Sequence, residues 1–401
     1  VKNGHEVSGM PAFGDALSDA EIRALQILIR EARQMTEREK APPVRVSDGV
    51  YQSEHYAFRL EPVVEGLSVP WSQAFLPDGG ILITERGGAL RVFRDGELGE
   101  PVSGTPGVWA HGQGGLLEVA PHPDYAENGW VYLGLSEKGG MRNGRAQGMT
   151  KIVRGRIEGN RWTDEEVVFE VPFKYHRPSG AHFGTRFVFR DGYLFFSIGD
   201  RGARQMAQDL AKPNGKIHRI HDDGRVPEDN PFADDADAYP TIWTYGNRNP
   251  QGLDAHPATG AIWESEHGPR GGDEINRIGR GLNYGWPEIT HGMHYSGRPI
   301  TDKTAAPGME QPKHYWTPSI AVCGIDFYEG RVFPEWRHDL LVGGLQSNEL
   351  HRLVIEDGAV TRDEILLNDA GEVRDVASGP DGSPYVLLHG PGALVRLVPA
   401  A

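Results

Sequence analysis

The stretch LPDGGILITERGGALRVFRDGEL, residues 76–98, decides the fold. Two short runs within it, Ile81 to Thr84 and Leu90 to Phe93, combine apolar and polar side chains over strand-like lengths. Turn formers separate them: Pro77-Asp78-Gly79, Gly87-Gly88 and Asp95-Gly96. Such residues preset or tolerate the φ values that tight turns need, so the stretch reads as a series of hairpins. A related pattern returns in HPDYAENGWVYLGLS (122–136), FVFRDGYLFFSIGD (187–200), HPATGAIWESEHG (256–268), FYEGRVFPEWRHDLLVGGL (327–345) and GPDGSPYVLLHGPGALVRLVP (379–399). Roughly six such units over about 350 residues predict an all-β chain, a six-bladed β-propeller with four-stranded blades. The irregular spacing, roughly fifty to sixty residues, sets it apart from a WD40-type array and leaves a pair of β-sandwiches as the alternative. A propeller gathers loops from several blades at one mouth, so residues far apart in sequence can meet there.

Residues 1–40 read differently. Ser18 and Glu21 form a capping box, and Ile22, Leu25, Ile27, Leu28 and Ile29 continue an apolar stripe to about Met35, which predicts one long helix. The propeller is expected over 41–401. GMPAFGDALSDAEIRALQILIREAR (9–33) resembles the end of a class I cytochrome c, and that resemblance would make Met10 an axial haem ligand. Covalent haem attachment needs Cys-x-x-Cys-His, which is absent from the sequence, so the segment reads as a remnant or as the cut end of a larger haem domain. The single cysteine, Cys323, excludes an intrachain disulfide and any multi-Cys zinc or iron–sulfur site. A net charge of −15 argues against nucleic acid and anionic membranes as partners, and no apolar run approaches the roughly eighteen residues of a membrane span. The chain opens at Val1 without an initiator Met, which fits a processed periplasmic or secreted protein or a trimmed chain.

The chemistry concentrates in TYGNRNPQGLDAHPATGAIWESEHGPRGGDEINRIGRGLNYGWP, residues 244–287. Arg248 and Asn249 follow a strand and offer fork-shaped donors for a carboxylate or quinone oxygen, or else tie down a loop. Gly268 and Pro269 can leave carbonyls pointing outward, and Asp273 and Glu274 add carboxylates. Such an oxygen set suits Ca²⁺, although the acidic pair also reads as a solvated turn. Elsewhere, His182 and Asp200 flank a predicted hairpin that can bring them together, and a carboxylate-held His is an oriented general base. The alternative is a histidine bonded within its own loop. Gln113, between glycines in HGQGG (111–115), aims an amide at a ligand or sits on the surface of a turn.

HFGTRF (182–187), TYGNRNPQGL (244–253), EHGPRGGDEIN (266–276) and GLNYGWP (281–287) occur in one order, and in this the chain resembles the soluble PQQ-dependent sugar dehydrogenases, also called glucose/sorbosone dehydrogenases, over roughly 60–398. The resemblance implies a six-bladed propeller that oxidises an aldose at C1 to its lactone. His182 would be the base, oriented by Asp200, and hydride would pass to PQQ. Gln113, Arg248, Asn249, Trp316, Gln346 and Arg374 would contact the cofactor, and Gly268 and Pro269 would hold the Ca²⁺ that also binds it. A second Ca²⁺ would involve Glu274 and Tyr284. Electrons would leave to an external acceptor, a cytochrome c or a haem domain being the natural partner.

Three positions depart from that pattern. Gln346 stands where the family usually has Lys, Glu372 where it usually has Arg, and Thr185 where it commonly has Gly. PQQ is a tricarboxylate, so one cation lost and another reversed weaken the electrostatic match. They motivate the alternative of a calcium-binding propeller without PQQ, serving as a binding module or as a metal-dependent lactonase or hydrolase. Thr185 is expected to narrow the pocket beside His182.

Overall fold

Each strand ends at a turn or loop, and within a blade the chain folds back on the strand just made. The computed structural model describes residues 12, 14, 16–40, 45–47 and 49–400; Met10 lies outside them. The strands form six antiparallel sheets. Blade 1 contains Pro70–Phe75, Ile81–Glu85, Ala89–Arg94 and Glu97–Leu98. Blade 2 contains Leu116–Pro121, Val131–Arg142, Arg145–Glu158 and Arg161–Glu170. Blade 3 contains Phe187–Arg190, Tyr193–Ile198, Lys216–His221 and Ile242–Tyr245. Blade 4 contains Pro250–Ala255, Ile262–Glu266, Asp273–Arg277 and His314–Trp316. Blade 5 contains Val322–Phe327, Leu340–Gly344, Glu349–Glu356 and Ala359–Leu367. Blade 6 starts from Val373–Ser378, Pro384–Leu388 and Ala393–Pro399 and takes its fourth strand, Ala57–Val64, from the other end of the chain.

That exchange closes the ring. Leu397 pairs with Leu60 and Arg396 with Glu61 across the two chain ends. Two further short strands, Val50–Gln52 and Arg45–Ser47, extend this blade to six strands instead of the expected four. The hydrophobic core lies between blade faces. Trp263, Ile275, Trp316, Val322 and Leu340 fill the space between blades 4 and 5. Phe58, Phe333, Trp336 and Leu350 do so between 5 and 6. Burying each such side chain contributes roughly 1.5–3 kcal/mol.

A four-stranded meander puts two kinds of loop at the same end: the hairpin joining its second and third strands, and the link from its fourth strand to the next blade. Asp200, the Gly268-Pro269 loop and Gln346 lie in the first kind. Gln113, His182 and Arg248 lie in the second. The candidate residues therefore share one mouth.

Helix α1, Asp19–Lys40, crosses part of that mouth. The capping box forms, with Ser18 N–H donating to Glu21 Oε2 at 2.8 Å and Glu21 N–H donating to Ser18 Oγ at 3.3 Å. The helix runs past the expected end at Met35, because nothing breaks it before Pro42. Ala24 and Ile27 are buried against Met293 of the blade 4 loops, and Arg23 donates to the Asp302 carbonyl at 2.7 Å. Glu31 forms a two-point ion pair with Arg270. Leu25 and Ile29 of the predicted stripe are exposed. Among the described residues, no helix is long and apolar enough to cross a membrane.

Candidate functional site

His182 reaches Asp200 across the end of blade 3, with Nδ1 at 2.6 Å from Oδ1. The approach depends on Gly199, where a Cβ would fall 2.4 Å from the His182 carbonyl. His182 itself sits at φ +55°, a left-handed conformation uncommon outside glycine and a form of strain that concentrates at functional sites. Gln113 Oε1 accepts the His182 N–H at 2.7 Å, and the Asp200 N–H donates to the Arg248 carbonyl at 2.7 Å. Asp200 is buried, and its Oδ2 accepts from Trp286 Nε1 at 2.9 Å. Burial alone would raise the Asp200 carboxyl, but the bond to His182 and the charges of His182 and Arg248 outweigh it and hold the group below its ordinary value. Burial pulls His182 below its ordinary value; Asp200 draws it back up, and Arg248 adds to the downward pull. The ring is thus neutral at pH 7, with Nδ1–H donated to Asp200 and the Nε2 lone pair left over.

Arg248 turns inward onto the next loop. Its Nη1 donates to the carbonyls of His267 at 2.7 Å and Gly268 at 2.6 Å. Ser319 Oγ donates to the Pro269 carbonyl at 2.9 Å. Each carbonyl keeps a second lone pair. Asn249 spends its side-chain oxygen on Gly184 N–H at 3.3 Å and Gln251 Nε2 at 3.2 Å, leaving its amide N–H groups for a ligand. Asp273 is consumed structurally, accepting from the backbone N–H groups of Gly268, Ile320 and Val322.

Behind the loop lies an acidic cluster. Glu266 pairs in register with Glu274, and Glu264 with Asn276, so three carboxylates share one face of blade 4. Burial raises all three, Glu264 to about 8 and Glu274 to about 7, while Glu266 is raised well above its ordinary range with the charges of Glu264 and Glu274 adding to burial. Glu264 Oε2 and Glu266 Oε2 are buried without a partner. Among the described residues no three His, Cys, Asp or Glu side chains converge closely enough to hold a metal by themselves, so backbone carbonyls would have to complete an all-oxygen set. The Tyr284 hydroxyl is already bonded to the Arg277 carbonyl at 2.7 Å and to Gly279 N–H at 3.0 Å, which leaves Tyr284 its carbonyl to offer.

Two cavities meet at His267. The open one, about 400 Å³, is lined by Glu31, Gly268, Pro269, Arg270, Tyr295 and Gln346. The enclosed one, about 130 Å³, is lined by Trp71, Arg86, Gln113, Gly184, Arg374 and His389. Arg374 is buried, stacks over Trp71 at 4.3 Å, and has an Nε without a partner.

The Trp316 indole is packed between blades 4 and 5, outside the lining of both cavities, and donates to Asp363 Oδ2 at 2.8 Å. One expectation needs correction: Thr185 does not narrow the pocket. It is fully buried at φ +77°, its Cγ2 faces Gly134 of blade 2, and the positive φ explains why glycine suits the position. Sequence reasoning missed Arg86, His389, Glu31, Tyr295 and Glu264. Only Glu264 had a readable signal: with Glu266 it alternates onto one face of a short, fully buried strand.

The fold and site together define a β-propeller with a carboxylate-held histidine beside a cavity walled by arginines. Residues 67–396 match the glucose/sorbosone dehydrogenase family, and the chain belongs to that family of sugar oxidoreductases. The aldose sugar dehydrogenase YliI of Escherichia coli (strain K12) is 44% identical over 349 residues, covering 85% of this chain and 92% of that protein. The apo-form crystal structure of the soluble aldose sugar dehydrogenase from Escherichia coli aligns with a TM-score of 0.81 at 43% identity, covering 86% of this chain and 100% of that one. The PQQ-bound aldose sugar dehydrogenase from Streptomyces coelicolor aligns with a TM-score of 0.69 at 26% identity, covering 89% and 99%.

Proposed function

We propose that the protein oxidises an aldose at C1 to its lactone, with PQQ as oxidant and Ca²⁺ as its electrophilic partner. One observation carries this reading: a neutral, carboxylate-held His182 at the mouth that also holds an enclosed cationic cavity. The residues present fit both groups. Arg374, with its unpartnered Nε, and the free amide of Asn249 suit a polycarboxylate quinone, with Gln113 and Arg248 beside them. The spare lone pairs of the Gly268 and Pro269 carbonyls suit a hard cation. Glu274 and the Tyr284 carbonyl, backed by Glu264 and Glu266, suit a second one. When bound, PQQ with Ca²⁺ supplies a two-electron oxidant that takes hydride from C1.

The protein's own share is proton chemistry and orientation. His182 Nε2 accepts the proton of the C1 hydroxyl. Asp200 fixes the tautomer and stabilises the imidazolium that results, much as a carboxylate does in a hydrolytic triad. Trp286 and Gly202 hold Asp200 from the other side. Gln113 fixes the backbone of the base, and Arg248 couples it to the loop that carries the carbonyls. Electrons leave to an external acceptor, for which a cytochrome c or an attached haem domain is the natural chemistry, in the periplasm or outside the cell.

Reconstitution tests the reading. Apoprotein mixed with PQQ and CaCl₂ should reduce a redox dye when aldoses are added, and His182→Ala should abolish turnover while still binding PQQ. Absence of both PQQ binding and dye reduction at saturating PQQ would leave the calcium-propeller alternative.

A further inference from the structure

Arg86 directly follows the second strand of blade 1, Ile81–Glu85, and its backbone is fixed on both sides. Its N–H donates to the Val69 carbonyl at 3.0 Å, and its own carbonyl accepts from Leu116 N–H at 3.1 Å. The second contact requires Gly115, where a Cβ would lie 1.9 Å from the Arg86 oxygen. The blade 1–blade 2 junction therefore sets this residue at the wall of the enclosed cavity. Its positive charge is felt by Arg374 and by His389, two other residues of that wall.

Among the described residues the Arg86 guanidinium has no hydrogen-bond or ion-pair partner. The other deeply set arginines behave differently. Arg186 meets Glu118 and Asp375, each at 3.0 Å. Arg352 meets Asp339 and Glu364, each at 2.7 Å. Arg201 has no carboxylate, but its fork is filled by the carbonyls of Ala181, Ser179 and Gly148. Arg374, across the cavity from Arg86, bonds only the neutral Gln251 Oε1 at 2.8 Å and Cys323 Sγ at 3.6 Å. Two guanidiniums of an acidic protein thus line one cavity, and among the described residues neither is hydrogen-bonded to a carboxylate; Arg374 feels Asp375 only at longer range. Such an arrangement is costly unless an anion completes it.

We propose that Arg86, together with Arg374, holds a carboxylate of PQQ at the closed end of the site and supplies the positive charge that Gln346 and Glu372 do not. Gln346 sits exposed at the open cavity, and the Glu372 carboxylate lies outside with its Oε2 3.7 Å from His389 Nδ1. The charge has thus moved to blade 1, on the opposite side of the ring closure. This inference rests on the PQQ reading above.

The test is a binding titration, independent of turnover. PQQ is added to apoprotein at fixed CaCl₂ and followed by tryptophan fluorescence, at low and high salt. Arg86→Gln should weaken Kd by about ten-fold or more and flatten its salt dependence, and Arg86→Lys should recover part of both. The trimethyl ester of PQQ, which carries no carboxylates, should bind wild type and R86Q alike. Melting of the apoproteins separates binding from folding: R86Q should melt no lower than wild type, since an unpaired cation has been removed. Wild-type affinity and salt dependence in R86Q and R86K would overturn the inference alone. Failure of the wild type to bind PQQ would overturn it together with the functional reading.

Discussion

The two ends of the site use the same side chain in opposite ways. At the closed end Arg86 and Arg374 line one cavity, and among the described residues neither bonds a carboxylate, whereas at the mouth Arg270 is engaged at two points by Glu31 from α1. A guanidinium already matched by a carboxylate offers little to an anion; an unmatched one in an enclosed space demands it. On the proposed reading the closed end would take the charged cofactor and the mouth the neutral sugar, with His182 and Asp200 between them to accept the proton.

The sharpest break would come in the middle. His182→Ala should lower kcat by about 10²–10⁴-fold, the range of a lost general base, and leave the Kd for PQQ within about two-fold. Steady-state turnover and a fluorescence titration measure the two together. At the closed end, Arg374→Gln should raise the Kd for PQQ by about ten- to a hundred-fold, because it removes a buried charge-assisted contact. The pH profile sharpens the central region. On the proposed mechanism the neutral form of His182 is active and its value lies below the ordinary 6.5, so the acid limb of kcat/KM should have its midpoint below pH 6.5. In Asp200→Asn the ring loses the group that draws its value upward, so the acid limb should move lower still while the rate falls. The smallest effect belongs to the mouth. Glu31→Gln removes a partly exposed ion pair worth about 0.2–1 kcal/mol, so thermal melting should shift slightly and PQQ affinity not at all. Ile27→Asp, which places a charge against Met293, should undock α1 and change KM for aldoses without changing the Kd for PQQ.

The sequence made the blades legible because their turns carry Gly, Asp and Pro, whose backbone preferences act locally. The shared mouth followed from meander geometry, and the His182–Asp200 approach from a hairpin. The setting of Trp316 was not legible for a physical reason: a strand-borne indole beside a motif can point to either side, and this one packs between blades 4 and 5. Arg86 was invisible because TERGG reads as an ordinary turn; only the neighbouring blade shows that its guanidinium faces a cavity. Docking of α1 on Met293 and Arg270 likewise depends on surfaces more than two hundred residues away, which no local pattern encodes. The acidic face of blade 4 lay between these extremes, readable from Glu264 and Glu266 alone but not from their register with Glu274.

The pairing of Ala57–Val64 with Ala393–Pro399 bears on when the site comes into being. Trp71 and Arg86 belong to the first blade, while Arg374 and His389 belong to the sixth. During synthesis these walls are separated by nearly the whole chain, and they meet only when the last strand zips against the early one. The closed end of the cavity is thus completed late, after the rest of the ring has been made. A cut or truncation at the C-terminal strand, far from any reacting atom, would open the chamber as surely as a mutation inside it.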